Sequence, residues 1–329
     1  MSTLEADPRE LELRCLELPG PVTRVIPERR VPLGGPRGMI VTRTIPERSL
    51  PTVGPWCFFD EAGPVEHLSR LLPHPHIGLQ TVSWLVEGAI VHRDTTGAAA
   101  TILPGQLNVM TSGRGIAHSE FTPGDEALRT HLLQLWIALP ESARWQAPHF
   151  EQHSELPTAA GAGWSATVLF GEFAGAVSPA AHYSPIVGVE VRIAPGATAR
   201  LPLRPDFEYA VLAARGAIQV DGQALGRGPL LYLGAAREEL DITAGAEGAI
   251  VMLIGGEPLG EDLVMWWNFV GRSHEEILQA RDDWEDPARR DERFGPEIEY
   301  HEGARIPAPP LPNVRLTPRI RRPEPGTIA

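Results

Sequence analysis

Leu72-Pro73-His74-Pro75-His76-Ile77-Gly78 opens, and Gly113-Arg114-Gly115-Ile116-Ala117-His118-Ser119-Glu120-Phe121 closes, the stretch on which the reading of this chain turns. Between them, Leu79 to Val86 is rich in β-branched and aromatic residues and stops at Glu87-Gly88. Ala89 to Asp94 runs into Thr95-Thr96-Gly97, and Thr101-Ile102-Leu103 meets Pro104-Gly105 before Leu107 to Met110. Apolar runs broken by Gly or Pro at roughly 8 to 12 residues predict a sandwich or barrel, not βαβ units. Alternate side chains of a strand point to opposite faces, so His74 shares a face with His76, and His118 with Glu120. Two such segments side by side would bring three imidazoles and a carboxylate to one point, the outline of a metal site.

Outward from that stretch, the second half repeats the first. Leu85 to Ile90 is echoed by Ala213-Ala214-Arg215-Gly216-Ala217-Ile218, then by the hairpin signal Val220-Asp221-Gly222, and Gly228 to Leu233 stands where Gly105 to Met110 did. The prediction is a mainly β protein of two tandem small barrels. Aligning Gly88 with Gly216 puts Pro202 and Arg204 in the places of His74 and His76; aligning Gly105 with Gly228 puts Asp241 and Thr243 opposite His118 and Glu120. The second copy is therefore expected to be structural. The organisation reads as an arm over residues 1–38, a barrel with the metal site over 39–150, a barrel without ligands over 151–262, and a C-terminal helix and Pro-rich tail over 263–329. Ser273 and Glu276 form a capping box, and Ile277, Ala280 and Trp284 follow at helical spacing, predicting one helix from Ser273 to Glu285. The arm is a candidate cover for an open sheet edge.

Composition narrows the classes of function. Gly and Pro, 33 of each in 329 residues, suit many short strands. Forty-two acidic against 29 basic residues give a net charge of -13, which repels phosphate backbones and disfavours direct nucleic-acid binding. Cys15 and Cys57 are too few for a disulfide framework. The N-terminus lacks an apolar signal region and no apolar run approaches the ~20 residues that span a bilayer, so a reducing cytoplasm is the expected compartment and no membrane is a partner. Oligomeric state is not readable from the sequence.

Eleven histidines make a single H-x-H pair common by chance, and the second pair, His118 and Glu120, behind a glycine-rich turn is what gives the first its weight. His67, His92, His131, His149, His153, His182, His274 and His301 lack a partner at ligand spacing and read as surface or satisfied core histidines.

His74-Pro75-His76 with Thr81-Val82-Ser83 and Glu87-Gly88, Met110 to Ile116, His118-Ser119-Glu120, and Phe59-Asp60 with Gly63-Pro64 together resemble the pirin family of bicupins, over residues ~40 to ~260. The resemblance implies two cupin-type barrels, with one metal, commonly iron, in the N-terminal one, held by His74, His76, His118 and Glu120. That donor set suits a divalent first-row ion: Fe(II) first by resemblance, with Mn, Ni, Cu and Zn compatible. Some pirins are similar in activity to quercetin 2,3-dioxygenase, in which a chelated flavonol reacts with dioxygen and releases carbon monoxide. On that reading Glu120 is also catalytic, leaving the metal to take the substrate's hydroxyl proton. Trp84, Met110 and Phe59 are candidates for an apolar wall against a small aromatic oxygenated substrate, weighed against plain core packing. Other members look like metal- or redox-responsive regulators, which here would act through a protein partner. Gln80 stands where many relatives carry an acidic residue, and the segment from Trp266 to Trp284 looks like a subgroup variation.

Overall fold

A computed structural model of the protein describes residues 20–32, 40–298 and 304–318. The remainder of the expected arm, 1–19 and 33–38, together with residue 39, residues 299–303 and the tail beyond 318, lies outside the described residues. Strands dominate, and they repeat one plan twice. In the first copy a seven-stranded antiparallel sheet runs in the order His149–His153, Leu107–Thr111, Leu79–Glu87, Leu128–Ala138, Trp56–His67, Ile40–Ile45, Arg29–Pro32. Facing it is a four-stranded sheet of Arg70–His76, Ile116–Phe121, Ile90–Asp94 and Ala99–Ile102. The second copy again has seven strands, Arg24–Ile26, Leu230–Gly234, Glu208–Arg215, Ala249–Gly256, Ile186–Ile193, Trp164–Phe170 and Thr158–Gly161. Its four-stranded partner is Thr198–Pro202, Glu239–Ala244, Ile218–Val220 and Gln223–Leu225. The chain changes from one barrel's sheet to the other's at residues 154–157, between the strands His149–His153 and Thr158–Gly161.

The two large sheets pack against each other. One continuous core cluster takes Trp56, Phe59, Val82, Trp84, Leu133 and Leu135 from the first and Ala210, Leu212, Tyr232, Met252 and Ile254 from the second. Polar groups tie the seam: buried Trp84 donates to Glu190 at 2.8 Å and buried Trp56 to the carbonyls of Val187 and Gly255 at 3.2 and 3.1 Å, while exposed Arg227 donates to buried Glu61 at 2.8 Å. The arm crosses this seam. Arg24–Ile26 pairs with Leu230–Gly234 at one sheet's edge and Arg29–Pro32 with Ile40–Ile45 at the other's, leaving fewer open ladder groups on both.

Inside the second barrel Val189, Val191, Leu201, Val211, Leu231, Leu240, Ile242 and Leu253 form an apolar core. Asp241 pairs with Arg200 on the outside, and Pro202 and Arg204 are exposed. The inward positions of its small sheet are instead Ala199, Leu201, Leu240 and Ile242, all apolar, so the alignment of Pro202, Arg204, Asp241 and Thr243 with the donors is corrected by one residue while the second barrel still offers none.

The described residues beyond 263 pack on the first barrel. A hairpin, Val264–Trp266 with Phe269–Gly271, docks through Val270 N–H on the Ile77 carbonyl at 3.1 Å. It closes over Phe58, Leu79, Trp136 and Ala138. The helix His274–Glu285 follows, capped by Ser273, whose hydroxyl accepts from Glu276 N–H. The Glu276 carboxylate reaches Arg272 N–H and Arg144 instead of closing the expected reciprocal bond to Ser273. A second short helix, Pro287–Phe294, adds to the one predicted. Pro287 starts it rather than ending the first, because at the first helical position a missing N–H costs nothing, and Asp286 caps Ala288 and Arg289. Residues 304–318 are an extended strap, tied by Ile306 N–H to the Pro73 carbonyl at 2.8 Å. Among the described residues no helix is long and apolar enough to cross a membrane.

Candidate metal centre

Two adjacent strands of the small sheet carry the candidate donors. Ile116–Phe121 lies between Arg70–His76 and Ile90–Asp94, with His118 directly opposite His74 on one side and Asp94 on the other. A register shift follows: Glu120 pairs with Leu71, not with residue 72, so Leu71 and His74 both face inward although three apart. His76 shares the face of His74, and one ring nitrogen from each of His74, His76 and His118 lies within 4.8 Å of the others. His76 Nε2 and His118 Nε2 are 3.1 Å apart. Two imidazole nitrogens bound to one ion at about 2.1 Å and at right angles would stand about 3.0 Å apart, so the spacing fits a shared metal. His74 Nδ1 lies 2.9 Å from the Leu72 carbonyl and donates to it, which leaves Nε2 as its ligand atom.

Burial sets the protonation. All three rings are almost wholly enclosed. Desolvation lowers the His74 pKa to about 4 and holds His76 and His118 well below the ordinary imidazole value, with the neighbouring imidazoles adding repulsion at His76 and His118. Neutral rings are what a metal requires. His76 Nδ1 and Glu120 Oε1 are buried and without a hydrogen-bond partner.

Glu120 stands apart from the triad. Its carboxylate is not within 4.8 Å of all three imidazole nitrogens, and it faces a small cavity of about 60 Å³ bounded by Asp60, His67, Thr122, Thr130 and Gln134 among others. Burial raises its pKa, against the opposing pull of His92 and a hydrogen bond from Ser83.

Across the barrel, the large sheet presents two transverse rows. Side chains paired across antiparallel strands share a face. Phe58, Trp136, Thr81, Met110 and Phe150 pair in turn, as do Asp60, Gln134, Ser83, Asn108 and Gln152. The first row is mostly apolar and touches the histidines at two places: Trp136 lies 5.3 Å from His76, edge to face, and Phe150 stacks on His92 at 4.4 Å. Phe58 stacks on Trp136 at 4.0 Å. Of the three candidates weighed between such a wall and core packing, Met110 belongs to this row, whereas Trp84 and Phe59 point to the seam between the barrels and are core. Gln80 also faces the seam; its amide donates to Thr111 and to the Ala181 carbonyl, away from the triad.

His92 is the residue the sequence reading passed over. It is buried, its Nδ1 is 3.3 Å from His118 Nδ1, and its Nε2 is 2.9 Å from Asp94 Oδ2. Burial pushes the Asp94 carboxyl up, but hydrogen bonds from His92 and Thr96 outweigh it and hold the pKa below the usual value. The H-x-D spacing of His92 and Asp94 was the available signal, since residues two apart on a strand share a face.

Two such barrels in tandem, one of them holding clustered histidines, define a bicupin. The Pirin family model matches residues 38–137, and that of the pirin C-terminal cupin domain matches 188–289. The chain belongs to the pirin family. A Pseudomonas aeruginosa protein provisionally named a quercetin 2,3-dioxygenase is 43% identical over 261 residues, covering 78% of this chain and 81% of the relative. A pirin-like protein of Caulobacter vibrioides is 38% identical over 241 residues, 70% of this chain and 82% of its own. Among solved structures, a quercetin 2,3-dioxygenase from Acinetobacter baumannii superposes with a TM-score of 0.83 at 39% identity, covering 89% of this chain and 97% of that one.

Proposed function

We propose that this pirin holds one divalent first-row metal, Fe(II) first, through His74, His76 and His118, with Glu120 turning in from beside the triad as the fourth donor. Its reaction is of the quercetin 2,3-dioxygenase type, on a small aromatic substrate with neighbouring hydroxyl and carbonyl oxygens. The observation that carries the reading is the meeting of three buried imidazoles in the first barrel, with two Nε2 atoms 3.1 Å apart. The names of the relatives from P. aeruginosa and A. baumannii support the choice of reaction. When bound, such a metal supplies Lewis acidity toward chelated oxygens and redox chemistry with dioxygen.

The chain's own residues would do the rest. Glu120 Oε1, buried and unpartnered, accepts the substrate's hydroxyl proton, and its raised pKa makes it a better base than an exposed carboxylate. Trp136 and Phe58 offer a stacked aromatic face beside His76 for a flat ring system. The hairpin over Phe58 and Trp136 keeps water from that end of the barrel. A non-catalytic regulator would leave both the unpartnered Glu120 oxygen and the aromatic row without use. A reducing cytoplasm is the compartment proposed with this chemistry, on the strength of only two cysteines in the chain.

Quercetin added anaerobically to the Fe(II)-loaded protein, followed by oxygen, should release carbon monoxide as the flavonol absorption decays. Turnover no faster than that of free iron in the same buffer would remove the dioxygenase reading.

A further inference from the structure

We infer that Asp94 and His92 form a positioning relay that fixes the proton of His118 on Nδ1 and so keeps its Nε2 free as a metal donor. The inference deepens the metal reading above and rests on it for its functional consequence, though not for its geometry. Asp94 lies at the inner end of the relay. Its Oδ1 accepts from Thr96 N–H at 2.8 Å, Thr96 Oγ at 2.6 Å and Ala98 N–H at 3.3 Å, so that oxygen is fully committed to donors. Its Oδ2 is left for His92 Nε2 at 2.9 Å. A carboxylate can only accept, so the His92 proton sits on Nε2 and a neutral ring then has its lone pair on Nδ1. That lone pair faces His118 Nδ1 at 3.3 Å, which must therefore carry the hydrogen. The remaining lone pair of His118 is on Nε2, the atom beside His76 Nε2.

The surroundings allow little else. His92 is held flat against Phe150, with the rings 15° from parallel, and both His92 and Asp94 are buried. Strand pairing builds the relay into the backbone, because His118 is in register with Asp94 and the same strand brings Glu120 opposite His92. Outer partners that set the tautomer of a ligating histidine are worth about 10- to 100-fold in metal affinity.

Asp94→Asn tests the relay because the three donors on Oδ1 dictate how the new amide lies: oxygen toward Thr96, NH2 toward His92. His92 Nε2 must then accept, its proton moves to Nδ1, and His118 is driven to carry its hydrogen on Nε2. Long-range 1H–15N NMR of the metal-free protein should show His118 as the Nδ1–H tautomer in the wild type and as Nε2–H in Asp94→Asn. Zn(II) affinity, read by chelator competition, should fall about 10- to 100-fold. Adding His92→Asn, whose amide oxygen can stand at the place of Nδ1 and accept from His118, should restore most of that loss. An unchanged His118 tautomer with wild-type Zn(II) affinity in Asp94→Asn, or no recovery in the double variant, would overturn the relay. Should Asp94→Asn fail to fold, His92→Asn against His92→Leu decides: the relay requires clearly tighter Zn(II) binding by the first, and equal affinities contradict it. Wild-type protein that takes up no Zn(II) would sink the metal reading, while the tautomer spectrum would still judge the relay.

Discussion

Burial does opposite things to the two kinds of titratable group in this protein, and both effects are visible at single residues. It lowers the proton affinity of His74, His76 and His118 and raises that of Glu120. Tyr209, in the second barrel, gives a measurable case away from any candidate ligand. Burial pushes its phenol up to about 12, while its hydroxyl accepts from Arg204 N–H at 2.8 Å. The folded state therefore holds this proton more tightly than the unfolded chain does. Stability from this group is complete below pH 10 and is lost as pH rises toward 12, by up to about 3 kcal/mol. The chain contains no lysine and only four tyrosines, so few other side chains titrate in that window. Denaturant unfolding at pH 9 and pH 11.5 should show the loss in the wild type, and Tyr209→Phe should flatten it; an equal slope in the variant would assign the loss elsewhere. Residue type was legible in the sequence, but which face each residue takes was only partly so. His74, His76 and His118 meet as their spacing implied, whereas Phe58 faces the site and Phe59 the seam, because a one-residue change of phase reverses every side chain in a strand. His92 escaped because, although the H-x-D spacing puts Asp94 on its face, its other partner, His118, lies on the next strand, which spacing within one strand does not show.

At the scale of elements, the hairpin of residues 264–271 is what sets this first barrel apart from the second. Its seat depends on Gly78, which has φ of +68° and whose Cα lies so near the Val270 carbonyl that an added Cβ would come within 2.1 Å of that oxygen. Gly78→Ala should cost more than about 2 kcal/mol, combining left-handed backbone strain with a clash against rigid backbone. The damage should be local. Hydrogen exchange is expected to speed up first at Val270 N–H, the hairpin's bond to Ile77, and an unchanged rate there would mean that the hairpin is held by other contacts. The helix His274–Glu285 was readable from its cap and its apolar spacing. Pro287–Phe294 was not, since a proline two residues past a helix reads as a stop until the aspartate before it is seen to cap a new start. Nor did spacing show what the extended strap would rest on, because a chain without periodicity does not announce its contacts.

The whole molecule is one barrel plan used twice and then differentiated. The duplication was legible because turns at Gly88 and Gly216 keep their glycines, while the packing of the two large sheets against each other was not: the seam is written in long-range partners such as Trp84 with Glu190 and Glu61 with Arg227. Inward positions of the first barrel carry imidazoles, carboxylates and amides; those of the second carry valine, leucine and isoleucine. The proposed chemistry thus belongs to one half, and the other supports it across a shared core. Metal content per chain tests this most directly. Protein purified without added metal and analysed for elements should contain about one divalent ion per chain, and His118→Ala, with its fold checked by circular dichroism, should contain close to none. A full equivalent of metal retained in His118→Ala, or two per chain in the wild type, would contradict the account.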